Sequence, residues 1–207
     1  MKRLLCALLL LWPVSVRAAD DYALCEQAIA ETEKAARLPS RLFGAIARAE
    51  SGRADEAGRV RPWPWTINLE GAGVFFPTKA EAVAAVMILQ AGRPRSVDVG
   101  CMQVSLLHHP RAFATLEEAF DPATNAAYAA GFLGGLYRTM RDWPLAVAAY
   151  HSQNAEKGEA YQKLVYGRVM TPQVARAAPP TALTPPPTAT FGAFLPREAL
   201  FGAFRGK

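Results

Sequence analysis

The sequence predicts a mainly α-helical domain carrying one small hairpin lobe, and three observations lead there. Apolar residues recur at helical spacing along most of the chain, and Ser, Thr or Asp stand ahead of these runs where helix caps belong. One stretch, Arg61 to Pro77, breaks the period with aromatic, β-branched and Gly-rich segments.

Taken in order, Asp20 or Asp21 caps a first helix running toward Arg37, with Leu24, Ala28, Ile29 and Ala36 as its apolar stripe. Pro39 and Ser40 punctuate the chain and start a second, from Arg41 to about Ser51, with Leu42, Phe43, Ile46 and Ala47 facing inward. Trp63, Trp65 and Ile67, then Gly71 to Gly73, then Val74 to Phe76 read as the hairpin lobe. Thr78 with Glu81 is a capping box for a third helix ending near Gln90, stopped by Gly92 and Pro94. Thr115 with Glu118 repeats that signature for a short turn, and Asp121 before Pro122 opens a long helix to Met140. Helices from Pro144 to about His151 and from Gly158 to about Met170 complete the body.

The two ends differ from this body. Residues 1–18 read as a secretory signal peptide: Lys2 and Arg3, an apolar run from Leu4 to Trp12, then small residues at the cut. The run falls well short of the ~20 apolar residues of a membrane span. Export to the periplasm or cell envelope is therefore expected. Residues 171–207 form a Pro/Ala/Thr-rich tail whose composition opposes ordering, with Phe-Gly-Ala-Phe at Phe191 and again at Phe201. The tetrads would dock on a partner or make a weak self-contact. One domain, residues 19–170, lies between the two ends.

Losing Lys2, Arg3 and Arg17 lowers the formal charge from +5 to +2, and setting the tail aside leaves the body near neutral at −1. That balance excludes a nucleic-acid footprint. Cys6 departs with the leader, so Cys25 and Cys101 remain in an oxidising compartment and are expected to form one disulfide, the alternative being two buried thiols. His108 and His109 are adjacent and His151 stands apart, a spacing that offers no metal site, and no cofactor is expected.

Glu50 is the chemical anomaly. Leu42, Phe43 and Ile46 precede it by eight, seven and four residues, placing its carboxyl on an apolar helix face. Poor solvation of the charged form raises a carboxyl's pKa, the condition a general acid needs near neutral pH. The plainer alternative is an ion pair with Arg48 or Arg53.

A second segment, Asp98-Val99-Gly100-Cys101-Met102-Gln103-Val104, gives Glu50 a context. With Glu50-Ser51 before it and Ala149-Tyr150 after it, the sequence resembles the soluble lytic transglycosylase family, which has the goose-type lysozyme fold. Glu-Ser, Gly-x-Met-Gln and part of Ala-Tyr-Asn occur in the family's order, and the resemblance covers roughly Cys25 to Met170. It implies a lysozyme-like α+β fold acting on peptidoglycan glycan strands. It also implies that the residue matching Glu50 protonates the bond between N-acetylmuramic acid and N-acetylglucosamine. The same carboxylate would then take a proton from the muramic acid C6 hydroxyl, leaving a 1,6-anhydro product. By the same resemblance Tyr150 hydrogen-bonds near the catalytic carboxyl, Met102 and Gln103 line the sugar cleft, Gly100 lets backbone approach closely, and Ser51 belongs to the substrate site.

Where the family has Asn after the tyrosine, this chain has His151, which either replaces the amide as a donor, titrates, or meets helix-end carbonyls. The long interval between Glu50 and Gly100 resembles the specialised transglycosylases that accompany secretion, conjugation or flagellar assemblies. Within it Trp63, Trp65, Phe75 and Phe76 divide between sugar stacking and a small core, and Asn68 is a candidate for an N-acetyl group. Asp98 would be the second carboxylate of a lysozyme-type hydrolase, but it reads better as a turn or helix-start residue. A non-catalytic glycan-binding scaffold is the remaining alternative, and a monomer is expected in every case.

Overall fold

The computed structural model describes residues 20–92 and 95–170. The leader, Pro94 and the tail with its two Phe-Gly-Ala-Phe tetrads lie outside the described residues.

The described chain is mainly helical with small antiparallel sheets, a lysozyme-like α+β layout. Helix α1 spans Asp21–Ala35, and the Asp20 side chain accepts from Tyr22 N as its cap. Its buried residues are Cys25, Ala28 and Ile29, whereas Leu24 and Ala36 of the expected stripe are exposed. The stripe is rotated because Cys25 is tied into the core by its disulfide.

Helix α2, Leu42–Glu50, buries Leu42, Phe43, Ile46 and Ala47 as their spacing predicts. It starts just after Pro39 and Ser40, where Arg41 takes a left-handed conformation and supplies no side-chain cap. Glu33 of α1 reaches across instead, its two carboxylate oxygens accepting from Arg41 N at 2.8 Å and Phe43 N at 2.9 Å. A carboxylate at a helix N-terminus satisfies orphan amides and favours the dipole, so one helix caps the next.

Strands β1 (Gly52–Ala54) and β2 (Val60–Pro62) pair antiparallel. Arg61 of β2 binds Asp20 and Glu26, fixing this ribbon to α1. The expected hairpin is present as β3 (Thr66–Leu69) and β4 (Ala72–Phe75), and helix α3 (Lys79–Gln90) follows with the full Thr78/Glu81 capping box. The sheet then exceeds the expectation. Strands β5 (Val97–Val99) and β6 (Val104–Ser105) add to it in the order β4-β3-β5-β6.

Helices α4 (Leu116–Ala119), α5 (Pro122–Met140), α6 (Trp143–His151) and α7 (Ala155–Met170) occupy the segments expected to be helical. Helix α7 begins earlier than its apolar residues indicate, the Asn154 side chain accepting from Lys157 N in its first turn. Two cores result. One gathers α1, α2, α5, α6 and α7 around Phe43, Ile46, Met102 and Leu133. The other lies under the sheet and α3, around Trp63, Trp65, Phe76, Val86 and Phe120.

Cys25 and Cys101 form a disulfide, and both are fully buried. It links α1 to the turn between β5 and β6 across a sequence separation of 76. A cross-link closing so long a loop restricts the unfolded chain by about 4 kcal/mol in the entropic account. Cys25→Ala/Cys101→Ala is therefore expected to lose stability of that order in urea titrations, and reductant should lower the melting temperature of the wild type but not of the variant.

Candidate active site

Glu50 ends α2 because the chain cannot continue as helix beyond Ser51. A Cβ at position 52 would lie 2.3 Å from the Arg48 carbonyl, so only glycine permits the immediate reversal into β1. The reversal leaves the Glu50 carboxyl at one wall of a cleft of about 780 Å³. Asn68, Asp98, Gln103, Tyr150 and His151 also line it.

The carboxyl is partly buried, and its pKa rises to about 7, first because the walls desolvate it and further because Asp98 is a nearby like charge. Tyr161 of α7 opposes that rise by donating to Glu50 Oε1 at 2.5 Å, a bond that favours the carboxylate. Neither arginine considered from sequence neutralises Glu50. Arg53 lies over the Trp63 ring at 4.6 Å, and Arg48 lines a separate groove beside α1.

Across the cleft the sheet presents a polar row. Register pairs Asn68 with Asp98 and Asp98 with Ser105, and all three reach the cleft. Asp98 thus occupies the middle of a strand, not the turn or helix start expected of it. Burial raises its pKa, and Oδ1 is buried without a hydrogen-bond partner. His108, His109 and His151 act on it from around the cleft and favour its ionised form. His109 bonds to the Tyr128 hydroxyl at 3.0 Å and packs on Phe132, so the adjacent pair is part of the wall and not a free loop.

The Gly100–Gln103 turn is held from every side. Ser51 Oγ donates to Cys101 O at 2.7 Å, the Tyr150 hydroxyl to Met102 O at 2.8 Å, and Met102 N to the buried Asn125 Oδ1 at 2.9 Å. Asn125 Nδ2 in turn donates to Val99 O and Ala119 O. Gly100 has φ +78°, and a Cβ there would sit 2.6 Å from Asn125 Nδ2. Gln103 takes the left-handed region at φ +49°, secured by its Nε2 donating to Gly100 O and Thr66 O. Such a conformation costs of order 1–3 kcal/mol in a non-glycine residue and persists where neighbours over-determine it.

Of the site residues expected from sequence, Glu50, Asn68, Gln103, Tyr150 and His151 converge on the cleft. Ser51, Gly100 and Met102 do not. They are buried and belong to the hydrogen-bonded framework of the turn. Gly100 does admit a close approach, but the approaching group is Asn125. Tyr150 bonds to the turn beside Glu50, while the hydroxyl that bonds to the carboxyl itself is that of Tyr161. None of Trp63, Trp65, Phe75 and Phe76 lines the cleft: three are core, and Phe75 is exposed under Arg53. Sequence reasoning missed Tyr161 and Asn125. Each is a polar side chain within a buried helical stripe, Gly158-Tyr161-Val165 and Asn125-Ala126-Ala129, which signals a buried partner.

The family model of the transglycosylase SLT domain matches residues 27–164. The chain belongs to that family. No curated protein and no solved structure matches it. Members of the SLT family are lytic transglycosylases acting on peptidoglycan, so the SLT domain here supports that activity in general. No helix among the described residues is long and apolar enough to cross a membrane.

Because the folded protein holds the Glu50 proton more tightly than the unfolded chain, this group's contribution to stability is fully present below about pH 4.5. It is lost as pH rises toward about 7. Glu50→Gln, whose amide oxygen still accepts from Tyr161, is expected to match the wild type near pH 4.5. Near pH 8 it should exceed the wild type by roughly 2–3 kcal/mol, measured by urea unfolding at the two pH values.

Proposed function

We propose that this SLT domain cleaves the β-1,4 bond between N-acetylmuramic acid and N-acetylglucosamine, with Glu50 as its single acid and base. The observation that carries the reading is a protonatable carboxyl, lifted to about 7 by burial, on the wall of a large polar cleft. In its neutral form Glu50 gives its proton to the glycosidic oxygen, and the N-acetylglucosamine side leaves as an alcohol. The resulting carboxylate, steadied by Tyr161, takes the proton of the muramic acid C6 hydroxyl as that oxygen closes on the anomeric carbon. One proton is given and one recovered, and the product is a 1,6-anhydro sugar formed without water.

Asn68, Gln103, Tyr150 and His151 stand along the cleft as contacts for the glycan. Ser51, Gly100 and Met102 serve the site by fixing its floor. A buried disulfide fits an oxidising compartment and supports action in the periplasm or cell envelope. There the protein, as a monomer, would open strands for a secretion, conjugation or flagellar assembly.

The second reading, a hydrolase, draws on Asp98: this group lines the same cleft with one oxygen unpartnered, and in that reading it would hold an attacking water. Mass analysis of products from purified peptidoglycan separates the two. Anhydro-muropeptides, lighter by one water than hydrolysed ones, are expected, and hydrolysed ends would transfer the assignment to the Asp98 reading. Glu50→Gln should abolish release, whereas undiminished release would remove Glu50 from the mechanism. Wild-type kcat/KM should fall as pH rises through about 7, since the donor must carry its proton.

A further inference from the structure

His151 is the last residue of α6 and an exposed one, yet its ring is not free. It lies flat on the Tyr161 ring, with centroids 4.4 Å apart and planes within 3°. Behind that stack the Tyr161 hydroxyl bonds to Glu50 Oε1. The imidazole therefore covers one face of the ring whose hydroxyl binds the acid, and it lines the same cleft as Glu50.

We propose that His151 is a positioning residue, a flat aromatic cover that keeps cleft water off the Tyr161–Glu50 pair and so keeps Glu50 a proton donor. The inference deepens the assignment of Glu50 as the acid and rests on it.

Desolvation is the largest cause acting on Glu50, so a ring that shields its hydrogen-bond partner Tyr161 from cleft water bears on it. The other neighbours act differently. Asp98 on β5 is a like charge, and Tyr150 on α6 is directed at Met102 O. The charged groups that face His151 itself are Asp98 and Lys157 of α7. Burial against its surroundings lowers the imidazole's pKa, with Lys157 acting the same way and Asp98 opposing. The cover is thus neutral at neutral pH. A neutral ring adds no positive charge that would favour the Glu50 carboxylate, so shape and apolarity carry the role. An amide at this position is smaller than the imidazole and has no ring to lie on Tyr161.

The test is a carbon-13 NMR titration of the Glu50 side-chain carboxyl, assigned by its loss in Glu50→Gln, in the wild type, His151→Ala, His151→Phe and His151→Asn. Thermal melts confirm that each variant is folded. His151→Ala and His151→Asn should move the Glu50 midpoint to lower pH, by roughly threefold to tenfold in proton concentration. His151→Phe should keep the wild-type midpoint. The alkaline limb of kcat/KM on peptidoglycan should shift in parallel. An unaltered midpoint in His151→Ala overturns the proposal. So does a wild-type midpoint in His151→Asn combined with a shifted one in His151→Phe, which would make the contact a polar one. If the wild type releases nothing from peptidoglycan, the functional assignment fails, while the titration still reads the cover.

Discussion

Everything in this site depends on holding one carboxyl where water solvates it poorly. Leu42, Phe43 and Ile46 draw α2 into the main core, and that burial brings Glu50, at the end of the same helix, to the cleft wall. Hydrophobic packing thereby imposes an electrostatic cost on a single residue. The Tyr161 hydrogen bond returns part of that cost by favouring the charged form, and Asp98 adds to it. The opposed influences leave the group balanced near neutrality, the condition that the proposed role of giving and recovering one proton would require.

The Gly100–Gln103 turn is the mechanical counterpart. Helix α1 grips it through the disulfide, α2 through Ser51, α5 through Asn125 and α6 through Tyr150, while β3 holds Gln103 through the Thr66 carbonyl. Helices that carry the acid and its neighbours thus share one anchor with the sheet across the cleft. Loss of any one of the hydrogen-bonded grips would leave buried polar atoms without partners, and each such atom costs about 1–3 kcal/mol. Residues that look like substrate contacts in a motif, Ser51, Gly100 and Met102, are here parts of that anchor.

This division explains how far the sequence could be read. Glu50 was legible because the apolar positions that bury it lie within its own helix, and the helices were legible from caps such as Thr78, Thr115 and Asp121. What escaped was non-local. Tyr161 meets Glu50 across 111 residues, and nothing near either position announces the pairing. Asp98 is a turn former by local chemistry, but pairing with Asn68 and Ser105 on two other strands makes it a strand residue. Pro39 and Ser40 mark locally where α2 starts, but the group that caps it, Glu33, belongs to another helix.

Infrared difference spectroscopy between wild type and Glu50→Gln tests the central claim most directly, because a protonated carboxyl has its own carbonyl stretch and the subtraction removes Asp98. A protonated Glu50 band is expected at pH 6, fading as pH rises through about 7. A Glu50 signal already that of a carboxylate at pH 6 would contradict the account.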